Sequence, residues 1–166
     1  MQELDKRKRV IQEGKDSGIK TLIETGTAHG AMIEACIPHF DKIFSIELSH
    51  KFFQECCNRF IRYDNVSLYQ GNSAEILPII LANFLPDEPA IYWLDAHCSG
   101  GDTAGDPNNS PLEAEIAAIL QYRTSGIILI DDQHLTPPEL AMYQDIYPGF
   151  EYTEPITRID ISRIPR

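Results

Sequence analysis

Acidic and glycine residues follow the first two apolar runs of the chain. Glu24, Gly26 and Gly30 lie at the end of the first run, and Glu47 ends the second. Glycine lets a backbone turn tightly and approach a ligand closely, and an acid at the end of a second strand can accept hydrogen bonds from a ribose diol. The 23-residue step from Glu24 to Glu47 fits one strand–helix–strand unit. The pattern therefore predicts a site for a ribose-containing ligand.

Polar residues also follow the next three apolar runs. They are Asn72 and Ser73 after the third run, Asp95 and His97 after the fourth, and Asp131, Asp132 and His134 after the fifth. Each group alone is explained by a helix cap or a solvated turn. Carboxylates at the ends of core strands are costly, however, unless a ligand or an ion uses them. Five polar strand ends in series therefore predict one shared ligand site.

Apolar runs alternate with stretches of helical periodicity. The predicted strands are 21–24, 43–46, 66–69, 90–94 and 126–130, with two terminal strands near 151–156 and 158–164. Helices are predicted at 29–39, along a face containing Phe52, Cys56 and Phe60, and from Asn72, Ser110 and Pro137 onward. This alternation predicts a mostly parallel sheet with right-handed crossovers. In such sheets ligands bind outside the carboxyl ends of the strands.

Composition limits the class of protein. The 166 residues, 43% of them hydrophobic, predict one domain over 1–166. A net charge of -11 disfavours a nucleic-acid partner, and the basic cluster at 6–9 is predicted to be the solvated face of a first helix. No apolar run approaches the ~20 residues that span a bilayer, and the polar start is unlike a signal peptide. The four cysteines lack disulfide or zinc spacing, so a cytoplasmic protein without a membrane partner is expected.

The strand ends resemble the motifs of class I S-adenosylmethionine (SAM)-dependent methyltransferases. Residues 24–30 are similar to the first motif, an acid followed by spaced glycines, and 45–48 are similar to the second, whose acid holds the SAM ribose. Residues 71–74 resemble the stretch that contacts adenine, and 93–97 resemble the fourth motif at the mouth of the active site. The resemblance covers roughly 20–135. It implies a methyltransferase with a three-layer α/β/α sandwich around a mostly parallel, Rossmann-like seven-stranded sheet.

The same resemblance assigns residues to the cofactor, SAM. Carried over to this sequence, the cofactor-lining residues are Glu24, Gly26, Thr27, Gly30, Glu47, Asn72, Ser73 and Asp95. The chain departs from the family pattern at Thr27 and Ala28, which replace a middle glycine, and at Asn72, where aspartate is more common. It is also short, so the methyl acceptor is expected to be bound by loops, by the segment 98–110 or by a partner subunit. A homodimer through the C-terminal strands is compatible with the sequence.

Three carboxylates at two strand ends form a candidate metal site. Asp95, Asp131 and Asp132 end strands expected to be neighbours, and clustered carboxylates raise one another's pKa unless a cation neutralises them. Oxygen ligands of this kind suit Mg²⁺ or Ca²⁺, and added imidazole ligands from His97 or His134 would suit Mn²⁺ or Zn²⁺. The arrangement resembles metal-dependent O-methyltransferases of the macrocin and catechol types, which implies that these three residues bind a divalent metal ion. The alternative interpretation is a set of solvated turn acids.

The implied reaction is methyl transfer to a small-molecule hydroxyl, with Asp95, His97 and His134 as candidate catalytic residues. The two histidines are candidate bases for the acceptor proton. Three other functions remain compatible with the sequence. A nicotinamide-dependent oxidoreductase normally carries G-x-G-x-x-G, whereas this loop has only Gly26 and Gly30. A catalytically silent methyltransferase-like binding module and a metal-assisted hydrolase are the other two.

Overall fold

A seven-stranded sheet forms the centre of the structure, with the strand order β3-β2-β1-β4-β5-β7-β6. The computed structural model describes residues 3–83, 88–96, 110–123, 125–131, 137–147, 149–153 and 156–165. The strands are β1 (Thr21–Thr25), β2 (Lys42–Glu47), β3 (Val66–Gln70), β4 (Ile91–Leu94), β5 (Ile127–Asp131), β6 (Phe150–Thr153) and β7 (Ile156–Asp160). β1 to β5 pair in parallel, and β7 runs antiparallel to both β5 and β6.

Helices connect the strands and cover the sheet. They are α1 (Glu3–Ser17), α2 (Ala31–Cys36), α3 (His50–Phe60), α4 (Ser73–Asn83), α5 (Leu112–Tyr122) and α6 (Pro137–Ile146), followed by a 3₁₀ turn at Ile161–Arg163. Parallel strands covered on both faces are apolar throughout, and the side chains of β5 from Ile127 to Asp131 are all buried. Within the described ranges, no helix combines the length and apolarity needed to cross a bilayer.

Two hydrophobic clusters lie on opposite faces of the sheet. On one face, Val10 of α1, Ile33 of α2 and Phe60 of α3 pack against alternate strand residues such as Leu22 and Trp93. On the other face, α4 and α5 pack against the intervening strand residues, which include Ile23 and Ile130. The layers are therefore helix, sheet and helix, as the resemblance implied. Glu24, Asp95 and Asp131 follow the first set of alternate positions and so belong to the face that carries α1.

The predicted strands are present, and most boundaries shift by one or two residues. The prediction for 158–164 is wrong beyond Asp160, because the chain turns into a short 3₁₀ helix whose cap is the Asp160 side chain. The helix expected at 29–39 is shorter, since it starts after Gly30, which is in a left-handed conformation, and ends at Cys36. The prediction of a solvated basic face at 6–9 is wrong for Lys6, which is 8% exposed.

Candidate functional site

The loop from Gly26 to Gly30 turns at the carboxyl end of β1. Gly26 has φ +85°, and a Cβ there would lie 2.6 Å from the carbonyl oxygen of Asp95. Gly30 has φ +73° and packs against the Phe60 ring. Because left-handed backbone favours glycine, these two positions require the residue that the sequence provides. Ala28 lies between them with φ +46°, which an alanine adopts only at some cost.

The Glu47 carboxylate lies against this loop. Its Oε2 atom accepts a hydrogen bond of 2.8 Å from the Ala28 backbone N–H, and its Oε1 atom accepts one of 2.7 Å from the Ser49 N–H. Glu47 is 7% exposed, so its carboxylate is held by two backbone dipoles at the edge of the cleft. The glycine loop of β1 and the acid of β2 thus form one continuous wall.

Glu24 is the most deeply buried acid of the site, at 2% exposure. The Ser45 hydroxyl donates a 2.6 Å hydrogen bond to its Oε2 atom, and Ser45 in turn lies 2.6 Å from the Thr27 hydroxyl oxygen. Burial raises the pKa of Glu24 to about 8, opposed by the Ser45 hydrogen bond and reinforced by the neighbouring charges of Asp95 and Glu47. At pH 7 this carboxyl group is therefore mostly protonated and neutral.

Asp95 and Asp131 end adjacent strands. Leu94 of β4 pairs with Ile130 of β5, so the next residues, Asp95 and Asp131, lie side by side. The Asp95 N–H donates a hydrogen bond of 3.1 Å to the carbonyl oxygen of Thr25. This arrangement confirms that the two strand ends are neighbours, as the fold prediction required.

Helix α1 brings cationic side chains to this acidic edge. The Lys6 ammonium group pairs with the Asp131 carboxylate, while the Asp131 Oδ1 atom has no hydrogen-bond partner among the described residues. Lys6 and Arg7 line a cavity of ≈ 280 Å³ together with Glu24, Gly26, Thr27, Ala28, His29, Ala31, Met32, Trp93 and Asp95. Sequence reasoning missed both cations. The contact of Lys6 with Asp131 joins positions 125 residues apart, which no local pattern shows. The only signal was their place in a run of four basic residues.

The expected metal site does not fit the residues that the structure describes. Among these residues, no group of three or more histidine, cysteine, aspartate or glutamate side chains is arranged to hold a metal ion. Asp131, one of the three expected ligands, is already engaged by the Lys6 ammonium. Asp132, His97 and His134 lie outside the described residues, so their expected roles stay predictions.

Asn72 and Ser73 begin α4 next to the end of β3. The Asn72 side chain accepts a 3.0 Å hydrogen bond from the Ala74 N–H, which caps the helix. Asn72 is exposed at the rim, but Ser73 is 5% exposed. The Ser73 hydroxyl acts on the Glu115 carboxyl group of α5, whose pKa it lowers. The side chain of Asn72 is thus exposed, whereas that of Ser73 is buried. The expected contact of both residues with the cofactor stays a prediction.

Glu115 is a buried acid that sequence reasoning did not single out. It is 1% exposed on α5, on the face of the sheet opposite Glu24. Burial raises its pKa to about 7, and the hydroxyl groups of Ser73 and Thr25 act in the opposite direction. A glutamate in an amphipathic helix is normally solvated, so no pattern in the sequence marked it.

Solved structures with a similar fold are methyltransferases. PaMTH1 of Podospora anserina, solved with S-adenosylhomocysteine (SAH), matches with a TM-score of 0.68 at 16% identity over 96% of this chain and 79% of that one. The O-methyltransferase TomG of Streptomyces achromogenes, solved with SAM, matches with 0.68 at 11% identity over 96% and 81%. The 23S rRNA methyltransferase ErmE matches with 0.57 at 11% identity over 96% and 69%.

These matches show the fold. The chain has the Rossmann-like α/β fold of class I SAM-dependent methyltransferases, with β7 inserted antiparallel beside β5. No protein-family model matches the sequence, and the search of curated proteins found no match.

Proposed function

We propose that the chain, as a single domain over 1–166, is a SAM-dependent methyltransferase acting on a small-molecule hydroxyl group. The observation that carries the proposal is the 2.8 Å hydrogen bond from the Ala28 N–H to Glu47. It joins the glycine loop and the acid into one cleft at the carboxyl ends of the strands, where ligands bind in this fold.

Glu47 is suited to hold the ribose of SAM. Each of its carboxylate oxygens accepts one backbone N–H, and each has a further lone-pair site. Two adjacent hydroxyl groups of a ribose can donate to these sites, and hydrogen bonds to a charged acceptor are stronger than neutral ones. Asn72, an exposed residue just before α4, is proposed to contact the adenine.

The cavity beside the glycine loop fits the amino-acid end of SAM. It carries cations on one side, Lys6 and Arg7, and carboxyl groups on the other, Glu24 and Asp95. An α-carboxylate and an α-ammonium group are complementary to these two sides. The charged groups that line the cavity therefore match a zwitterion better than the second phosphate and the nicotinamide of a dinucleotide.

Bound SAM supplies an electrophilic methyl group on a sulfonium. The role of this chain is then to align donor and acceptor, which can account for much of a displacement reaction's acceleration. Asp95, at the end of β4, borders the cavity and lies two residues before the proposed catalytic His97. His97 and His134 are proposed as bases for the acceptor hydroxyl.

A small acceptor is favoured by charge. The net charge of -11 repels phosphate backbones, whereas Lys6 is buried in an ion pair and contributes no basic surface. The rRNA specificity stated for ErmE is therefore not proposed here. The spacing of the four cysteines fits no disulfide framework, which supports a cytoplasmic location. The edge strand β6 is where a homodimer would form.

Calorimetric titration with SAM tests the proposal. Wild-type protein should bind SAM in the micromolar range, and Glu47→Ala should weaken binding by roughly 100-fold, because two hydrogen bonds to a charged group contribute about 1.5 kcal/mol or more each. Asp64→Ala is the matched control. Asp64 is an exposed acid just before β3, so it lies at the amino ends of the strands, whereas Glu47 lies at the carboxyl ends. Equal affinity in Glu47→Ala and wild type, or stabilisation by NAD instead of SAM in a thermal-shift assay, would contradict the proposal.

A further inference from the structure

Lys6 is a buried cation, although its run of four basic residues predicts a solvated helix face. Its ammonium group pairs with Asp131 at the end of β5, and the lysine is 8% exposed. Removing an ammonium group from water is unfavourable unless a carboxylate and hydrogen bonds compensate. The contact therefore makes Lys6 part of the acidic edge rather than of a solvated helix face.

Cations from α1 lie among the carboxyl groups of the cavity, within the part of the chain that the structure describes. Three adjacent strands contribute Glu24, Asp95 and Asp131, and α1 contributes Lys6 and Arg7. Because burial raises the pKa of Glu24 to about 8, that group is mostly neutral at pH 7. Glu47 lies beside this group and is held by the Ala28 and Ser49 N–H groups. The described residues that line the cavity or contact Asp131 then carry two carboxylates and two cations, which lowers the attraction for a divalent ion.

The space for an ion is also taken. A divalent cation bound by Asp131 would lie about 2.0–2.6 Å from a carboxylate oxygen. That is the space of the Lys6 ammonium group, which bonds the Asp131 Oδ2 atom. The Asp131 Oδ1 atom has no partner among the described residues, but an ion bound there would lie close to the Lys6 ammonium group and be repelled by it.

We propose that Lys6 is the resident counterion of Asp131 and keeps divalent metal ions out of this site, in contrast to the metal-dependent enzymes that the strand ends resemble. Lys6 acts as a positioning residue: it fixes the Asp131 side chain and anchors α1 as a wall of the cavity. The inference concerns the site of the proposed function, but it does not depend on SAM binding or on methyl transfer.

Manganese binding to the apoprotein tests the inference. The free Mn²⁺ signal in electron paramagnetic resonance should not fall when wild-type protein is added at stoichiometric concentration. Lys6→Met keeps the length and the apolar stem of the side chain but removes its charge. This variant should bind one Mn²⁺ at least roughly tenfold more tightly than wild type, since an ammonium group about 5 Å from a divalent ion costs that factor even at the dielectric constant of water.

Two variants assign the result to the site. Lys6→Met with Asp131→Asn should lose the gained Mn²⁺ binding, because the exposed carboxylate is gone. Lys8→Met, an exposed lysine on the same helix, should bind Mn²⁺ no better than wild type. The buried Trp93, the single tryptophan of the chain, reports by its fluorescence whether each variant is folded.

Two results would overturn the inference. One is stoichiometric Mn²⁺ binding by wild type that Asp131→Asn abolishes, which needs no Lys6 variant to fold. The other is a folded Lys6→Met protein that binds Mn²⁺ no better than Lys8→Met. The proposed function fails separately, through the SAM titration of Glu47→Ala, and wild-type SAM affinity should be the same with Mg²⁺ and with EDTA.

Discussion

Replacing Glu24 by glutamine should stabilise the protein, and only at the higher pH values. Glu24 is 2% exposed, and its pKa rises from 4.5 to about 8 because burial penalises the charged form. Between these two pH values the folded state binds more protons at this site than the unfolded state. The free energy of unfolding therefore falls as the pH rises through this window. Glutamine fills the same space and does not titrate.

The size of the effect follows from the same shift. Each pKa unit corresponds to about 1.4 kcal/mol, so ionised Glu24 destabilises the fold at pH 8 by at most about 4 to 5 kcal/mol. Movement of nearby groups such as Ser45 lowers this ceiling. We expect Glu24→Gln to gain at least about 2 kcal/mol over wild type between pH 5 and pH 8, which is a large fraction of a typical domain's stability.

Urea denaturation at pH 5, 6, 7 and 8 measures the difference directly. Unfolding is followed by the fluorescence of Trp93, which is buried at 1% exposure on the same face of the sheet as Glu24. Glu75→Gln, a change at an exposed acid in the first turn of α4, should show no such trend. If the difference between Glu24→Gln and wild type stayed constant within about 0.5 kcal/mol over this range, the assignment of a neutral, buried Glu24 would be wrong.

Four further outcomes are expected. Glu115→Gln should also gain stability over wild type as the pH rises from 4.5 to 7, by at most about 3 kcal/mol, because burial raises the pKa of Glu115 to about 7; urea midpoints measure it. Gly26→Ala should unfold at lower urea and lose SAM affinity at least roughly tenfold, since its Cβ would lie 2.6 Å from the Asp95 oxygen; unchanged calorimetric affinity would refute the close approach. Ala28→Gly should raise the free energy of unfolding by up to about 1 kcal/mol, because the backbone φ of Ala28 is +46°. SAM binding at pH 7 should release protons, since an α-ammonium group favours ionised Glu24; calorimetry in phosphate and Tris buffers counts them.

The fold was predictable because its signals are local and periodic. The strand ends follow from apolar runs that stop at glycine or an acid, as at Gly26 and Glu47, and parallel pairing brings such ends to one edge whatever the loops do. The Ala28 N–H donates a hydrogen bond to Glu47, and this contact joins the two strand ends that the sequence pattern predicts to share a site. The cleft could therefore be located before its geometry was known.

The charges of the site were less predictable, because they depend on contacts across the whole chain. Lys6 stands in a run of four basic residues, and only the docking of α1 on β5 turns it inward. Likewise, the carboxyl group of Glu115 is buried where α5 packs against α4. Neither contact leaves a periodic trace, so the sequence did not show that an ammonium group lies against Asp131.

The order in which the chain is synthesised matters for a cavity built in this way. Helix α1 is synthesised before the strands, but the residues that anchor it come late in the chain. Lys6 pairs with Asp131. The Arg158 Nε atom lies 3.2 Å from both carboxylate oxygens of Glu13. On the ribosome the first helix therefore has no complete docking site until β7 has emerged. The ligand pocket should be among the last parts of the molecule to form, and a nascent chain stalled before residue 158 should retain no SAM.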